Sequence, residues 1–151
     1  MNGNSRIFQM LDRLGVKYRM IPLEQLRKEA GNESSSGFYR WPEDDITLAE
    51  SGTDLAFVAP HELIHWTGSR LHRGTWAKSG AWPAAYVAEE VVAQAGGEII
   101  ARDLLYADIH EASEAYILNY ADNSGMPKHI EERARQKGRE AAEWIKQRLR
   151  K

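Results

Sequence analysis

His61-Glu62-Leu63-Ile64-His65 sets two imidazoles four residues apart in a stretch whose composition suits a helix. On a helix such a pair lies on one face, one turn above the other, so both rings reach a common cation. Glu62 stands beside them, where a carboxylate can take a proton from a water that the cation acidifies. The chemistry implied is hydrolysis at a zinc ion.

A catalytic zinc ion needs a third protein ligand and keeps a fourth position for water or substrate. His72 is one candidate, because Gly68 extends the run to H-E-x-x-H-x-x-G. A third histidine of that pattern falls three residues after the glycine, where this chain has Leu71. The better candidate is Glu90, in the segment Tyr86 to Ala95. Val87, Val91, Ala95 and Ile99 recur there at helical spacing, which predicts a stripe facing the core. Glu90 falls on that stripe, and a carboxylate so placed is costly unless it is paired or bound to a metal. Glu89, rotated by about 100°, is expected in solvent. Gln94, one turn beyond Glu90, is placed to hydrogen-bond a ligating imidazole and fix its tautomer. The residues thus give His61, His65 and Glu90 as ligands of Zn²⁺ and Glu62 as general base. Tyr86, His110 and Tyr116 are candidate donors to the oxyanion that forms in the reaction.

The string His61 to Gly68 (H-E-L-I-H-W-T-G) with Ser69-Arg70-Leu71, followed by Tyr86-Val87-Ala88-Glu89-Glu90-Val91-Val92-Ala93, resembles the zincin-like metallopeptidase domain of the ArdC-type antirestriction proteins. The likeness extends upstream to Gly37-Phe38-Tyr39-Arg40-Trp41-Pro42 with Asp45-Ile46, and downstream to Tyr116-Ile117 and the last helix. It covers most of residues 1–150 and is strongest over 61–95. In that family and in other gluzincins the third ligand is a Glu on the next helix, followed four residues later by an acidic or amide residue. Glu90 with Gln94 fits that register, and Glu89 with Ala93 does not. The resemblance implies a peptidase of plasmid or phage origin that counters host defence in the host cytoplasm, with a peptide or a host protein as substrate. Family members also carry an N-terminal DNA-binding domain, for which these 151 residues are expected to be too few, so antirestriction through DNA binding is not implied. An alternative with the same motif is a catalytically silent zincin-like module that inhibits a host protein by contact.

Composition fits a single domain over residues 1–151, long enough to bury about two-thirds of its unfolded surface. The chain is 42% hydrophobic and 28% charged, with a net charge of −2. The absence of cysteine excludes disulfides and zinc–thiolate sites and suits a reducing cytoplasm. Arg6, Asp12, Arg13, Lys17 and Arg19 interrupt the start of the chain, which argues against a signal peptide. No apolar run approaches the ~18 residues of a membrane span.

The elements that must hold the site follow from periodicity. Ile7, Met10, Leu11 and Leu14 predict a first helix ended by Gly15. Val16 to Pro22 alternates as a strand, and Phe38–Arg40 and Asp45–Ala49 read as two more, joined through Trp41-Pro42-Glu43-Asp44. Asn32 to Gly37 reads as a turn or loop. Thr53 is placed to cap the helix carrying His61, with Asp54 in its first turn, and Gly68 to end it. Pro60 should start or kink that helix. Residues 73–84 read as a loop between the histidine pair and the Glu90 helix, placed either to line a cleft or to pack its aromatic residues on the surface. Helices follow over about 84–106, 110–121 and 127–150, the last burying Ile130, Ala134, Ala141, Ile145 and Leu149. Gly96-Gly97 in mid-helix predicts a close approach of another backbone, that of the histidine helix. The fold expected is α+β and zincin-like: a small, mostly antiparallel sheet against a helical core. Residues 127–151 hold nine Lys/Arg against four Glu, which reads first as a solvated helix face whose Lys146, Arg148, Arg150 and Lys151 complement the dipole end, with a nucleic-acid-binding surface as the alternative.

Overall fold

The structure, a computed structural model, describes residues 3–73 and 85–150. The expected loop over 73–84 lies outside these residues except for Arg73. The elements run α1 (Gly3–Leu14), β1 (Lys17–Ile21), α2 (Leu23–Ala30), β2 (Gly37–Arg40), β3 (Asp45–Ala49), α3 (Leu55–Arg70), α4 (Ala85–Leu104), α5 (His110–Ser124) and α6 (Lys128–Leu149). The class is α+β, as expected. Among the described residues no helix is long and apolar enough to cross a membrane.

The sheet is mixed rather than mostly antiparallel. Its order is β1-β3-β2, with β1 parallel to β3 over Lys17–Ile21 and β2 antiparallel to β3 over Gly37–Arg40. The cause is α2, which the alternation pattern did not reveal. It carries the chain across from β1, so that β3 inserts beside β1 in the same direction. β2 is left as an edge strand. The β2–β3 turn is held by Asp44, whose carboxylate accepts from Tyr39 Oη at 2.6 Å and from both terminal nitrogens of Arg70 at 3.1 and 2.7 Å. One end of α3 is thereby tied to the sheet.

Asp54, not Thr53, caps α3: its carboxylate accepts from the Ala56 amide at 3.1 Å, while the buried Thr53 hydroxyl has no partner among the described residues. The helix passes through Pro60 without restarting, since it has already begun at Leu55. Nor does Gly68 end it; the last residue is Arg70. Gly15 does terminate α1, at φ +73°, and Ile7, Met10 and Leu11 are buried as the spacing predicts.

α4 packs chiefly on α6 and α3, with α5 along a further side. Its predicted stripe is therefore too narrow. Val87, Ala95 and Ile99 are only half-buried, whereas Ala88, Val91, Val92, Ala93, Gln94, Gly96, Gly97, Ile100 and Ala101 are buried. A helix covered on several sides loses its one-sided pattern. The paired glycines serve two different neighbours. A Cβ on Gly97 would stand 3.0 Å from the His61 amide nitrogen and 3.2 Å from the carbonyl carbon of Pro60, so the histidine helix does cross there. A Cβ on Gly96 would stand 2.7 Å from the carbonyl oxygen of Gly138 on α6. Gly138 completes the buried face of α6 with Ile130, Ala134, Ala141, Ala142 and Ile145, while Leu149 is only half-buried. A Cβ on Gly138 would meet Gly96 N and Val92 O, both at 2.7 Å. Backbone cannot yield as a side chain does. Gly138→Ala is therefore expected to destabilise the protein by about 2–3 kcal/mol, read from urea unfolding, by forcing α4 and α6 apart.

Candidate metal centre

His61 and His65 project from successive turns of α3, with ring centroids 4.8 Å apart, toward Glu90 on α4. His61 Nε2 lies 3.0 Å from Glu90 Oε2, His65 Nε2 lies 3.1 Å from Glu90 Oε1, and the two Nε2 atoms are 3.2 Å apart. His72, the other candidate ligand, stands outside this group. It is exposed, in the left-handed region at φ +54°, just past the end of α3.

The tautomer of His61 follows from its neighbours. Gln94 Nε2 donates to Ser113 Oγ at 2.9 Å, which leaves Gln94 Oε1 to accept from His61 Nδ1 at 2.9 Å. With its proton on Nδ1, a neutral His61 turns the Nε2 lone pair onto a carboxylate oxygen. Two electron-rich atoms at 3.0 Å repel unless a proton or a cation lies between them. The donor set fits a cation. Zinc bonded tetrahedrally at about 2.05 Å holds its ligand atoms roughly 3.3 Å apart, close to the spacing of these three groups.

Glu89 is the largest departure from expectation at the site. Instead of facing solvent it is half-buried, with its carboxylate 3.7 Å from His65 Nδ1. Arg73 fixes it there: Nη2 donates to Glu89 Oε1 at 2.7 Å, and Nε donates to both carboxylate oxygens at 3.2 Å. The same guanidinium donates to Ile64 O and Thr67 Oγ1, each at 2.7 Å, and its side chain is 3% exposed. Each histidine thus has a partner on its outer nitrogen: Gln94 for His61 and Glu89 for His65. Such partners orient the ring and raise its basicity. Glu89→Gln is expected to weaken metal binding about 10–100-fold, measured by competition with a chromogenic chelator, with the fold intact by circular dichroism.

Burial opposes charge on His65, but the carboxylates of Glu89, 3.7 Å away, and Glu90, 3.1 Å away, with the negative charge of Glu62, outweigh it and hold the imidazole up at about 10. Glu89 and Glu90 are lowered despite burial, Glu89 by His65 and Arg73 and Glu90 by the two histidines. The sign for His65 is that of a group raised on folding. Its contribution to the metal-free protein is complete below about pH 6.5 and is lost as pH rises through about 10. An ion bound at the triad must displace that proton. Between pH 7 and 9, binding is expected to release at least about one proton per ion and to tighten roughly tenfold per pH unit. Calorimetry in buffers of different ionisation enthalpy reads this directly.

Glu62 is buried and lines the same cavity, of about 640 Å³, as His61, His65 and Glu90. Its carboxylate accepts no hydrogen bond among the described residues, so its lone pairs are available to a proton. Tyr116, on α5, donates to Glu90 Oε2 at 2.8 Å and stands edge-on to His61, 5.4 Å between centroids. Burial and the Glu90 charge push its phenol up, so it stays a donor. Tyr86 lies on the rim, 67% exposed, its phenol raised to about 12 chiefly by a hydrogen bond with Tyr120.

His110 is not brought to the site. α4 and α5 run side by side with three successive rungs: Glu90–Tyr116, Gln94–Ser113 and Glu98–His110. His110 therefore sits two helical turns, roughly 11 Å, along α4 from Glu90, with its side chain 67% exposed. The sequence reading did not assign Ser113, Glu89 or Arg73 to the site. Only Ser113 had a signal, three residues before Tyr116 on the same helical face. No family model, curated protein or solved structure matches the chain.

Proposed function

We propose that this chain is a zinc-dependent hydrolase of peptide bonds with a zincin-like fold, as its resemblance to the ArdC-type metallopeptidase domain suggests. The observation that carries the reading is the convergence of His61 Nε2, His65 Nε2 and the Glu90 carboxylate within 3.0–3.2 Å, in a cavity they share with Glu62. His61, His65 and Glu90 would hold the ion. Zinc supplies a Lewis acid that acidifies water and polarises a carbonyl. Glu62 takes the proton from the attacking water and returns it to the leaving amine. Gln94 and Glu89 keep the two imidazoles aimed, and Tyr116 holds Glu90 by its Oη. A peptide as substrate is supported by β2, an edge strand whose Gly37, Phe38 and Tyr39 line the same cavity. An unpaired strand edge binds an extended chain by main-chain hydrogen bonds. The test is a library of quenched fluorescent peptides incubated with zinc-loaded protein. Cleavage abolished by phenanthroline and restored by zinc supports the reading. Stoichiometric zinc without cleavage of any peptide would replace it with a silent binding module.

A further inference from the structure

On another part of the molecule, α1 passes the C-terminal ends of α4 and α6 and leaves a concavity of about 610 Å³. That is within the roughly 300–1,000 Å³ of small-molecule sites. Arg6, Arg13, Arg102, Lys146 and Arg150 line it, with Asp103 as the one carboxylate among the lining residues. Part of this charge serves the two helix ends and neighbouring carboxylates. Lys146 Nζ donates to Asp103 at 2.8 Å, Arg102 Nε donates to Asp103 at 2.7 Å, Arg13 donates to the carbonyl of Leu149, and Arg150 stands 3.4 Å from Glu143. Five cations against the carboxylates of Asp103 and Glu143, with roughly half a negative charge from each of the two helix ends, still leave a surplus of about two. The whole chain carries −2, so the surplus is local. Arg6 shows it most plainly: among the described residues it pairs with no carboxylate and lies over the ring of Tyr106, 4.8 Å from the centroid. That ring is 73% exposed, on a residue at φ +55°.

We propose that this concavity binds a phosphate ester. The surplus matches the charge of one phosphate group, about −1.5 to −2 at neutral pH. Guanidinium groups suit phosphate because their N–H forks pair with its oxygens. Arg6, which pairs with no carboxylate among the described residues, and Arg150, on exchanging its 3.4 Å contact with Glu143, are placed to turn onto it, and Tyr106 offers an aromatic face to a base attached to the phosphate. The charge can come from the terminal phosphate of a free nucleotide or from about two successive diester phosphates of a single-stranded nucleic acid, each carrying one negative charge, and the test separates the two.

Metal-free protein, in which no ion at the histidine site competes for phosphate, is titrated at low ionic strength with pyrophosphate, with ADP and with oligothymidylates of increasing length. The variants are Arg6→Glu with Arg150→Glu, and the milder Arg6→Gln with Arg150→Gln in case charge reversal impairs folding. Binding of at least one probe by the parent protein, weakened about tenfold or more in either folded double variant and by added salt, is the expected result. ADP and the oligonucleotide binding alike assigns the site to a nucleotide, and affinity that grows with chain length assigns it to a nucleic-acid backbone. No binding of any probe by the parent protein overturns the proposal, as does equal binding by the folded variants. Either failure would leave the histidine site untouched.

Discussion

Glu62→Gln is expected to retain one zinc per chain while its peptide-bond turnover falls by about 10²–10⁴-fold. The two halves of that result have separate causes. Glu62 stands outside the His61–His65–Glu90 group, so the amide leaves the ligand set whole. It also preserves volume in a position only 7% exposed, so packing is kept. What disappears is a basic carboxylate in the cavity, and an amide cannot accept the proton that the attacking water must lose. The check is metal content by atomic emission alongside steady-state kinetics on one sample. A variant with full activity would remove Glu62 from the chemistry, and a variant without metal would make it structural.

His65→Ala should show the opposite pattern, losing both metal and turnover. Removing an outer partner costs about 10–100-fold in metal affinity, and removing a ligand should cost more than that upper figure. The site also loses internal balance. His65 stands 3.1 Å from Glu90 and 3.7 Å from Glu89, and as a cation it is what lets two half-buried carboxylates on adjacent residues stay ionised. With alanine there, Arg73 still serves Glu89 but, among the described residues, Glu90 keeps His61 and Tyr116. The metal-free variant should therefore melt below the metal-free parent at pH 7, with the difference shrinking as pH rises through about 10, where the parent's imidazole is itself neutral. His110→Ala, by comparison, should leave zinc stoichiometry and turnover unchanged, since that ring pairs with Glu98 two turns from the site.

The geometry of the histidine pair was legible because it is local. A four-residue spacing on a helix fixes a shared face whatever the tertiary structure, and Glu90 with Gln94 repeats that logic one helix later. Gly96-Gly97 announced a crossing for the same reason, since glycine without a turn to make signals a near backbone. What escaped depends on contacts between segments distant in the chain. Glu89 looked solvated because helical phase alone cannot show that Arg73, sixteen residues earlier, folds back over it. His110 looked near because it is close in sequence to Tyr116, yet the antiparallel course of α4 and α5 carries it away from Glu90. The parallel pairing of β1 with β3 depended on α2, a helix of only eight residues that buries one side chain, Leu26. Thr53 lost the cap to Asp54 by one residue, a shift that local preference does not resolve because both residue types cap well.

The central claim is a single ion held by two imidazoles and a carboxylate, and zinc-edge X-ray absorption on protein loaded with one equivalent of zinc tests it most directly. The account expects a first shell of nitrogen and oxygen alone at about 2.0–2.1 Å, four-coordinate, with imidazole scattering from two rings that falls to one ring or vanishes in His61→Ala. A spectrum unchanged by that substitution, or one indistinguishable from hydrated zinc in solution, would contradict it.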